Sequence, residues 1–258
     1  ALAKFPHKHI AYYIYLVNFI RLIGAAPEVR LYNPDADEKK TIPVDLVLDI
    51  GNSRTCGVLF EDGDFTRAVM LRLQDLTHPE RSYKKAFDMR LVFRNADFGG
   101  DIGLSEPLFK WRSFVRVGDE ARHLVYRSLE DEGLSQKATS CSSPKRYLWD
   151  RKPFDGRWEN LISVDDPTGV SMSPNIYIRR LSDYFAPDGT YCPEGYDGDA
   201  EGTAFSRSSL MTFVMIEILQ QAIVQINSPA FREKHGDIDR KRTLRRIIIT
   251  CPTAMPET

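Results

Sequence analysis

Cysteine and histidine are scarce in this 258-residue chain. The four cysteines, Cys56, Cys141, Cys192 and Cys251, lie far apart with no Cys-x-x-Cys pair, and the five histidines are unclustered. This argues against a zinc site or a disulfide framework; buried, inert thiols in a reducing cytoplasm are the simplest expectation. A surplus of either charge is also missing. Lys and Arg number 35 against 36 Asp and Glu, a formal net charge of −1, too little field to attract nucleic acid or an anionic membrane. The most apolar N-terminal stretch, residues 9–23, HIAYYIYLVNFIRLI, is interrupted by Asn18 and Arg21 and is too short to span a bilayer. Basic residues before that stretch and Gly24-Ala25-Ala26 after it suggest a signal peptide. The near-helical recurrence of Ile10, Tyr13, Ile14, Val17 and Ile20 predicts instead an amphipathic helix packed on a neighbour.

What is present is the composition of a globular protein, 42% apolar and 28% charged, with length enough for one large domain or two lobes. The chain opens on Ala1 rather than methionine and stops at Thr258 soon after a strand-like run, so a longer parent is expected. A polar linker, NPDADEKKTIP, separates the N-terminal helix from the first core strand.

The stretch that organises the chain is VDLVLDIGNSRTCGVLF, residues 44–60. Val44, Leu46, Val47, Leu48 and Ile50 form an apolar run typical of a strand covered on both faces. Asp49 sits at its end, where an unpaired buried carboxylate would be costly and a metal ion, water or cation would be its partner. Gly51 lets the backbone approach a ligand closely, and Asn52, Ser53, Arg54 and Thr55 supply N–H groups, hydroxyls and a guanidinium, the donors that phosphate oxygens require. An ordinary β-hairpin with the Asp and Asn capping its turn is the plain alternative.

Further along, Cys56–Phe60 predicts a second strand and Phe65–Leu73 a third, alternating one, giving a meander. Strands are predicted at Met89–Arg94 and Trp111–Val117, and a helix at Glu120–Glu130. In SSPKRYLWD, residues 142–150, Lys145 and Arg146 precede an aromatic patch on which their stems would rest. Residues 182–208 predict a long loop. Within it Asp197 to Gly202 imitates a calcium loop, but Phe205 and Ser208 at the ninth and twelfth positions exclude calcium. The clearest helix is 208–227, capped by Ser206 or Ser208, with Glu217, Gln220, Gln221 and Gln225 in one narrow polar stripe. Residues 232–246 predict a solvated basic connection, and Ile247–Thr250 a short apolar strand.

A three-stranded meander with a phosphate loop, then a helix and a parallel strand, resembles the actin-like ATPases, a superfamily of actins, heat-shock chaperones and sugar kinases. Four segments match the chaperones in order: DIGNSRT (Asp49 to Thr55), FVRVGDEARHL (Phe114 to Leu124), SPKRYLWD (Ser143 to Asp150), and the helix 208–227 with IIITCPTAMP (Ile247 to Pro256). The wording VDLVLDIGNSRTCGVLFEDG is similar to a bacterial virulence-associated family called SrfB. The resemblance implies an α/β fold, the RNase H-like first lobe of an actin-like ATPase, with a mixed sheet of the meander plus a parallel strand. It implies residues 1–40 as helix and linker, and 41–258 as the lobe with a smaller subdomain inserted at about 85–207. It further implies ATP and Mg²⁺ as cofactors. Asp49 would hold the metal through water, Gly51, Asn52, Ser53, Arg54 and Thr55 would cradle the phosphates, and Lys145 would neutralise the transferred phosphoryl group, with water as acceptor. Asn52 stands where the superfamily has a small hydroxyl residue, and DFGGDIG (Asp97 to Gly103) imitates the second phosphate motif but predicts only a turn.

Three functions are expected in consequence. The first is an ATP-binding fragment of an ATPase, not catalytically complete alone, in the cytoplasm, with a protein partner but neither nucleic acid nor a membrane span. The second is a small-molecule kinase, because DIGN followed by Ser also resembles type III pantothenate kinases, which however begin almost directly with the motif. The third is a non-catalytic scaffold, for which the 182–208 excursion would suit a partner surface.

Overall fold

The computed structural model describes residues 8–22, 41–78, 81–94, 97–98, 109–127, 135–150, 159–163, 185 and 205–250. After helix α1 (Lys8–Leu22), the apolar run becomes β1 (Ile42–Ile50) and turns back as β2 (Arg54–Glu61). The two are antiparallel, with Ile50 opposite Thr55 and Val44 opposite Glu61. The alternation along β1 sends Val44, Leu46, Leu48 and Ile50 into the core. β3 (Val69–Met70) extends this sheet, β4 (Leu73–Gln74) and β5 (Ser82–Tyr83) form a separate ribbon, and β6 (Phe87–Asp88) returns to β2 beside the turn.

The second sheet comprises β7 (Arg90–Phe93), β10 (Val115–Val117), β11 (Ser135–Ser142) and β12 (Glu159–Ser163), in the order β10-β7-β11-β12. β8 (Asp97–Phe98) pairs with β9 (Phe109–Lys110), and α2 (Gly118–Arg127) leaves β10 directly. Helices α3 (Ser209–Asn227) and α4 (Pro229–His235) then lead into β13 (Arg242–Ile249). β13 runs parallel to β1, so the main sheet is mixed, in the order β13-β1-β2-β3. A parallel neighbour needs a crossover connection. Here α3 lies at the sheet, and Leu210, Val214, Ile218, Ala222 and Ile226 join the residues of β1 and β2 in one core.

α3 is the one described helix long and apolar enough to cross a bilayer by length and composition, and 56% of its most apolar window is buried inside the protein. Its polar stripe faces inward, the reverse of the usual amphipathic pattern. Gln225 accepts from Arg72 N at 2.7 Å and donates to Met70 O at 2.9 Å, while Gln221 accepts from Gln74 N at 3.0 Å and donates to Gln74 O at 3.1 Å. Trp111 Nε1 donates to Glu217 at 2.8 Å, and Arg116 pairs with it at 3.2 Å. The exposed apolar residues of this helix are Ile216, Ile223 and Val224.

These contacts explain why the predicted third strand, Phe65–Leu73, is broken. Gln225 and Gln221 of α3 take backbone groups of Met70, Arg72 and Gln74, so the segment is split into two short pieces, Val69–Met70 paired with β2 and Leu73–Gln74 paired with β5. Phe65–Arg67 is a 3₁₀ turn, started by Asp64 Oδ1 accepting from Thr66 N at 2.9 Å. The other predictions need smaller corrections. Trp111–Val117 narrows to Val115–Val117, and neither Ser206 nor Ser208 gives α3 a side-chain cap; their hydroxyls bond each other at 2.6 Å. The solvated connection at 232–246 holds the end of α4 and most of β13, with Arg232 and Arg242 buried. Helix α1 forms as predicted, but the face expected to pack is only partly covered: Ile10, Tyr13 and Ile14 are about half exposed, Val17 and Ile20 are half-buried, and the helix exposes further apolar residues, Tyr15 and Phe19, outside that face. The calcium-like stretch 197–202 and most of 97–103 lie outside the described residues.

Candidate functional site

The turn joining β1 to β2 is closed by the Gly51 N–H donating to the Arg54 carbonyl at 2.9 Å. A Cβ on Gly51 would stand 2.4 Å from that oxygen, so only glycine permits the closure. Asn52, Ser53 and Arg54 are exposed around the turn. Asp49 is exposed too, which corrects the expectation of a carboxylate at a buried strand end; its Oδ1 accepts from the Thr250 hydroxyl at 2.6 Å. The buried carboxylate of β1 is Asp45. Arg245 and Arg246 bond it at 2.6 to 3.0 Å and hold its carboxyl well below the ordinary carboxylate range. Asp45 carries no signal in the sequence, because its partners arrive some 200 residues later as part of a basic run.

Lys145 reaches the same place from the other side. β6 and its neighbours connect the two segments: Met89 N donates to Ser53 O at 2.9 Å, and Ser143 N donates to Met89 O at 2.6 Å. Ser143 then adopts left-handed backbone angles, φ +52°, and turns the chain into a 3₁₀ segment, Pro144–Leu148. Tyr147 anchors that segment in the core, with the guanidinium groups of Arg146 and Arg207 over its ring at 4.7 and 5.0 Å. The outcome is a buried Lys145 whose ammonium donates to the Ile50 carbonyl, one residue before the turn.

Among the described residues the Ile50 carbonyl is the single hydrogen-bond acceptor of Lys145, and an ammonium has three N–H groups. Thr55 Oγ1 is buried with no hydrogen-bond partner among the described residues. Arg54 is 71% exposed and lies 3.7 Å from Asp88. The structure therefore brings Asp49, Gly51, Asn52, Ser53, Arg54, Thr55 and Lys145 to one end of β1. It adds Thr250 and Asp88, of which only Thr250 carried a sequence signal, as the polar residue ending an apolar strand. A cluster of acidic, histidine or cysteine side chains suited to holding a metal ion is absent among the described residues. Among the described residues at this end of the strand, the Asp49 carboxylate is exposed and that of Asp88 is partly exposed. Cys56 and Cys141 are free thiols, and burial pushes Cys141 up to about 12, out of the reactive range.

No curated protein and no solved structure matches the chain. A family model, "Virulence factor SrfB", matches residues 2–258, and the chain belongs to that family.

Proposed function

We propose that the β1–β2 turn and Lys145 bind the terminal phosphates of a nucleotide, ATP with Mg²⁺, in the manner of the first lobe of an actin-like ATPase. The observation that carries this reading is Lys145 on the Ile50 carbonyl: a buried ammonium with N–H groups to spare, brought across 95 residues to the mouth of an exposed polar turn. The mixed sheet supports the superfamily reading, because an antiparallel β1-β2-β3 arrangement with β13 parallel to β1 is the order that the resemblance implies.

The residues fit the group on two counts. Exposed Asn52, Ser53 and Arg54 offer donors, and the orphan Thr55 hydroxyl lies directly behind them. The exposed carboxylate of Asp49 suits a metal held through its water shell rather than by a protein cage. Bound Mg²⁺ would screen the charge of the phosphate oxygens. Arg54 would bond them through its planar fork, Lys145 would add positive charge from within the protein, and the Thr250 hydroxyl would orient Asp49. A cytoplasmic setting belongs to this reading and suits the free thiols.

Calorimetric titration of the 258-residue chain with ATP and Mg²⁺ tests it. Saturable binding, weakened at least about tenfold by Asp49→Ala and by Lys145→Ala, is expected, each such loss being near 1.4 kcal/mol. Absence of binding, or binding indifferent to both changes, would reduce the turn to a hairpin. Phosphate release measured alongside separates turnover from a nucleotide held only as a structural ligand.

A further inference from the structure

The loop arginine is already engaged by a carboxylate. β6 pairs with β2 so that Asp88 lies directly opposite Arg54. Asp88 Oδ1 stands 3.7 Å from Arg54 Nε, and its Oδ2 accepts from Arg122 Nη1 at 3.3 Å. Arg122 is held in turn by Asp119, one helical turn away on α2, at 2.5 Å. The four charges form a ladder from the turn to the first residues of α2.

We propose that Asp88 is a holding residue for Arg54: its carboxylate stands in for a phosphate group and keeps the guanidinium off the site until a phosphorylated ligand displaces it. The inference rests on the phosphate reading of the turn and adds a regulatory contact to it.

The two ends of the Arg54–Asp88 pair are unequal. At 3.7 Å the pair makes no hydrogen bond, and a side chain 71% exposed to water gains little from such a partner. Among the described residues the Arg54 side chain has no hydrogen bond, so its Nη edge is open to a bidentate acceptor. A phosphate would accept two parallel charge-assisted bonds there, and the exchange runs toward the ligand.

Asp88 keeps an ion-pair partner when Arg54 leaves, because Arg122 remains on its other oxygen. Nor can the carboxylate follow. Phe87 on one side is fully buried, and Met89 on the other is tied by its N–H to Ser53 O at 2.9 Å. Asp88 is therefore a fixed post from which Arg54 departs. The cost falls on apparent affinity, which is reduced by the fraction of molecules in which Arg54 is occupied.

The test is a double-mutant cycle read by calorimetry on the 258-residue chain, with ATP and Mg²⁺ and separately with inorganic pyrophosphate. Asp88→Asn should tighten both ligands about two- to five-fold, the fold-change that an exposed ion pair corresponds to. Asp88→Ser should do the same, and unchanged circular-dichroism melts establish that both variants fold. In an Arg54→Ala background the gain should shrink below about 1.5-fold, since the carboxylate then has no guanidinium to hold. An equal gain in both backgrounds would overturn the proposal and leave only a general repulsion between Asp88 and the anion. A loss of affinity would overturn it in the other direction, making Asp88 a residue that aims Arg54. A wild-type chain that binds neither ligand would remove the phosphate reading itself, and this is told apart by its flat titration.

Discussion

Lys145 donates its ammonium to the carbonyl of Ile50, a residue 95 positions earlier, and both groups are buried at the end of β1. A lysine is seldom taken out of water without a reason in charge or in hydrogen bonding. Lys145→Met keeps the apolar stem but leaves the Ile50 carbonyl without its donor, and a loss of about 1–3 kcal/mol in urea denaturation is expected. A purely structural lysine would stop there. In the proposed site, nucleotide affinity falls at least about tenfold as well. Lys145→Arg fails to restore it, because a broad planar fork does not replace a compact ammonium in a buried position.

Gly51 and Gly57 give a comparison within one hairpin. A methyl group on Gly51 would meet the Arg54 backbone oxygen at 2.4 Å, whereas on Gly57 it would meet the side-chain ends of Leu48 and Leu71, each at 2.9 Å, and the Leu71 Cβ at 3.0 Å. Leucine termini can shift; a carbonyl engaged in closing a turn cannot. Gly57→Ala should therefore cost roughly 1–3 kcal/mol by overpacking, and Gly51→Ala more. Thermal melts of the two variants check the ranking, and the reverse order would mean that the turn is free to reopen.

The parts legible in the sequence are those carried by local pattern. The apolar run of β1, its glycine turn and the return strand stand in adjacent residues, as does the apolar content of α3. Helix α4 is also marked, by Ser228 and Pro229 at its start and Gly236 after its end, and the basic residues between them hide it. Ser228 Oγ accepts from Phe231 N at 3.3 Å, the cap that those letters announce. Long-range pairing leaves no such mark. The inward stripe of α3 looks in the sequence like a solvent face, because Trp111, Arg116 and the backbone of 70–74 lie more than a hundred residues before it. Asp88 in the site is hidden for the same reason: nothing near it in the chain indicates that Arg54 will be its cross-strand neighbour.

Glu217 and Arg116 make the most buried ion pair of the described core, each side chain 1% exposed. Glu217 also accepts from Trp111 at 2.8 Å and from Gln221 Nε2 at 2.9 Å, so one carboxylate binds β10, α3 and the preceding loop together. Glu217→Ala would leave the Arg116 charge buried without a carboxylate, and a loss of about 3–5 kcal/mol is expected. Replacing both residues with apolar ones of similar volume, Glu217→Leu with Arg116→Met, should recover a large part of it. Urea denaturation of the single and double variants measures the coupling, and strict additivity would show that the pair is not energetically one unit.

Glu120 predicts a pH dependence opposite to the usual acid denaturation. It is buried on α2, its Oε1 accepts from Thr77 N and Oγ1 at 3.0 and 2.7 Å, and burial pushes its carboxyl up to about 7. Arg116 opposes the shift, while Asp75 and Glu217 add to it. A carboxyl whose pKa is raised on folding contributes stability that is fully present below the unfolded value of 4.5 and is lost as pH rises through about 7. Glu120→Gln keeps an acceptor for Thr77 and has no charge to lose. At pH 5 the variant and the parent should differ little from each other on this account. By pH 8 the variant should be more stable than the parent by on the order of 3 kcal/mol. His235, which burial holds below its usual range, acts with the opposite sign as pH falls through 6.5, but it is present in both proteins and cancels in the difference. Paired denaturation curves from pH 5 to 8 give the answer. A constant gap across that range would mean that Glu120 keeps the same charge throughout it, and that the Thr77 bonds rather than ionisation decide what this residue contributes.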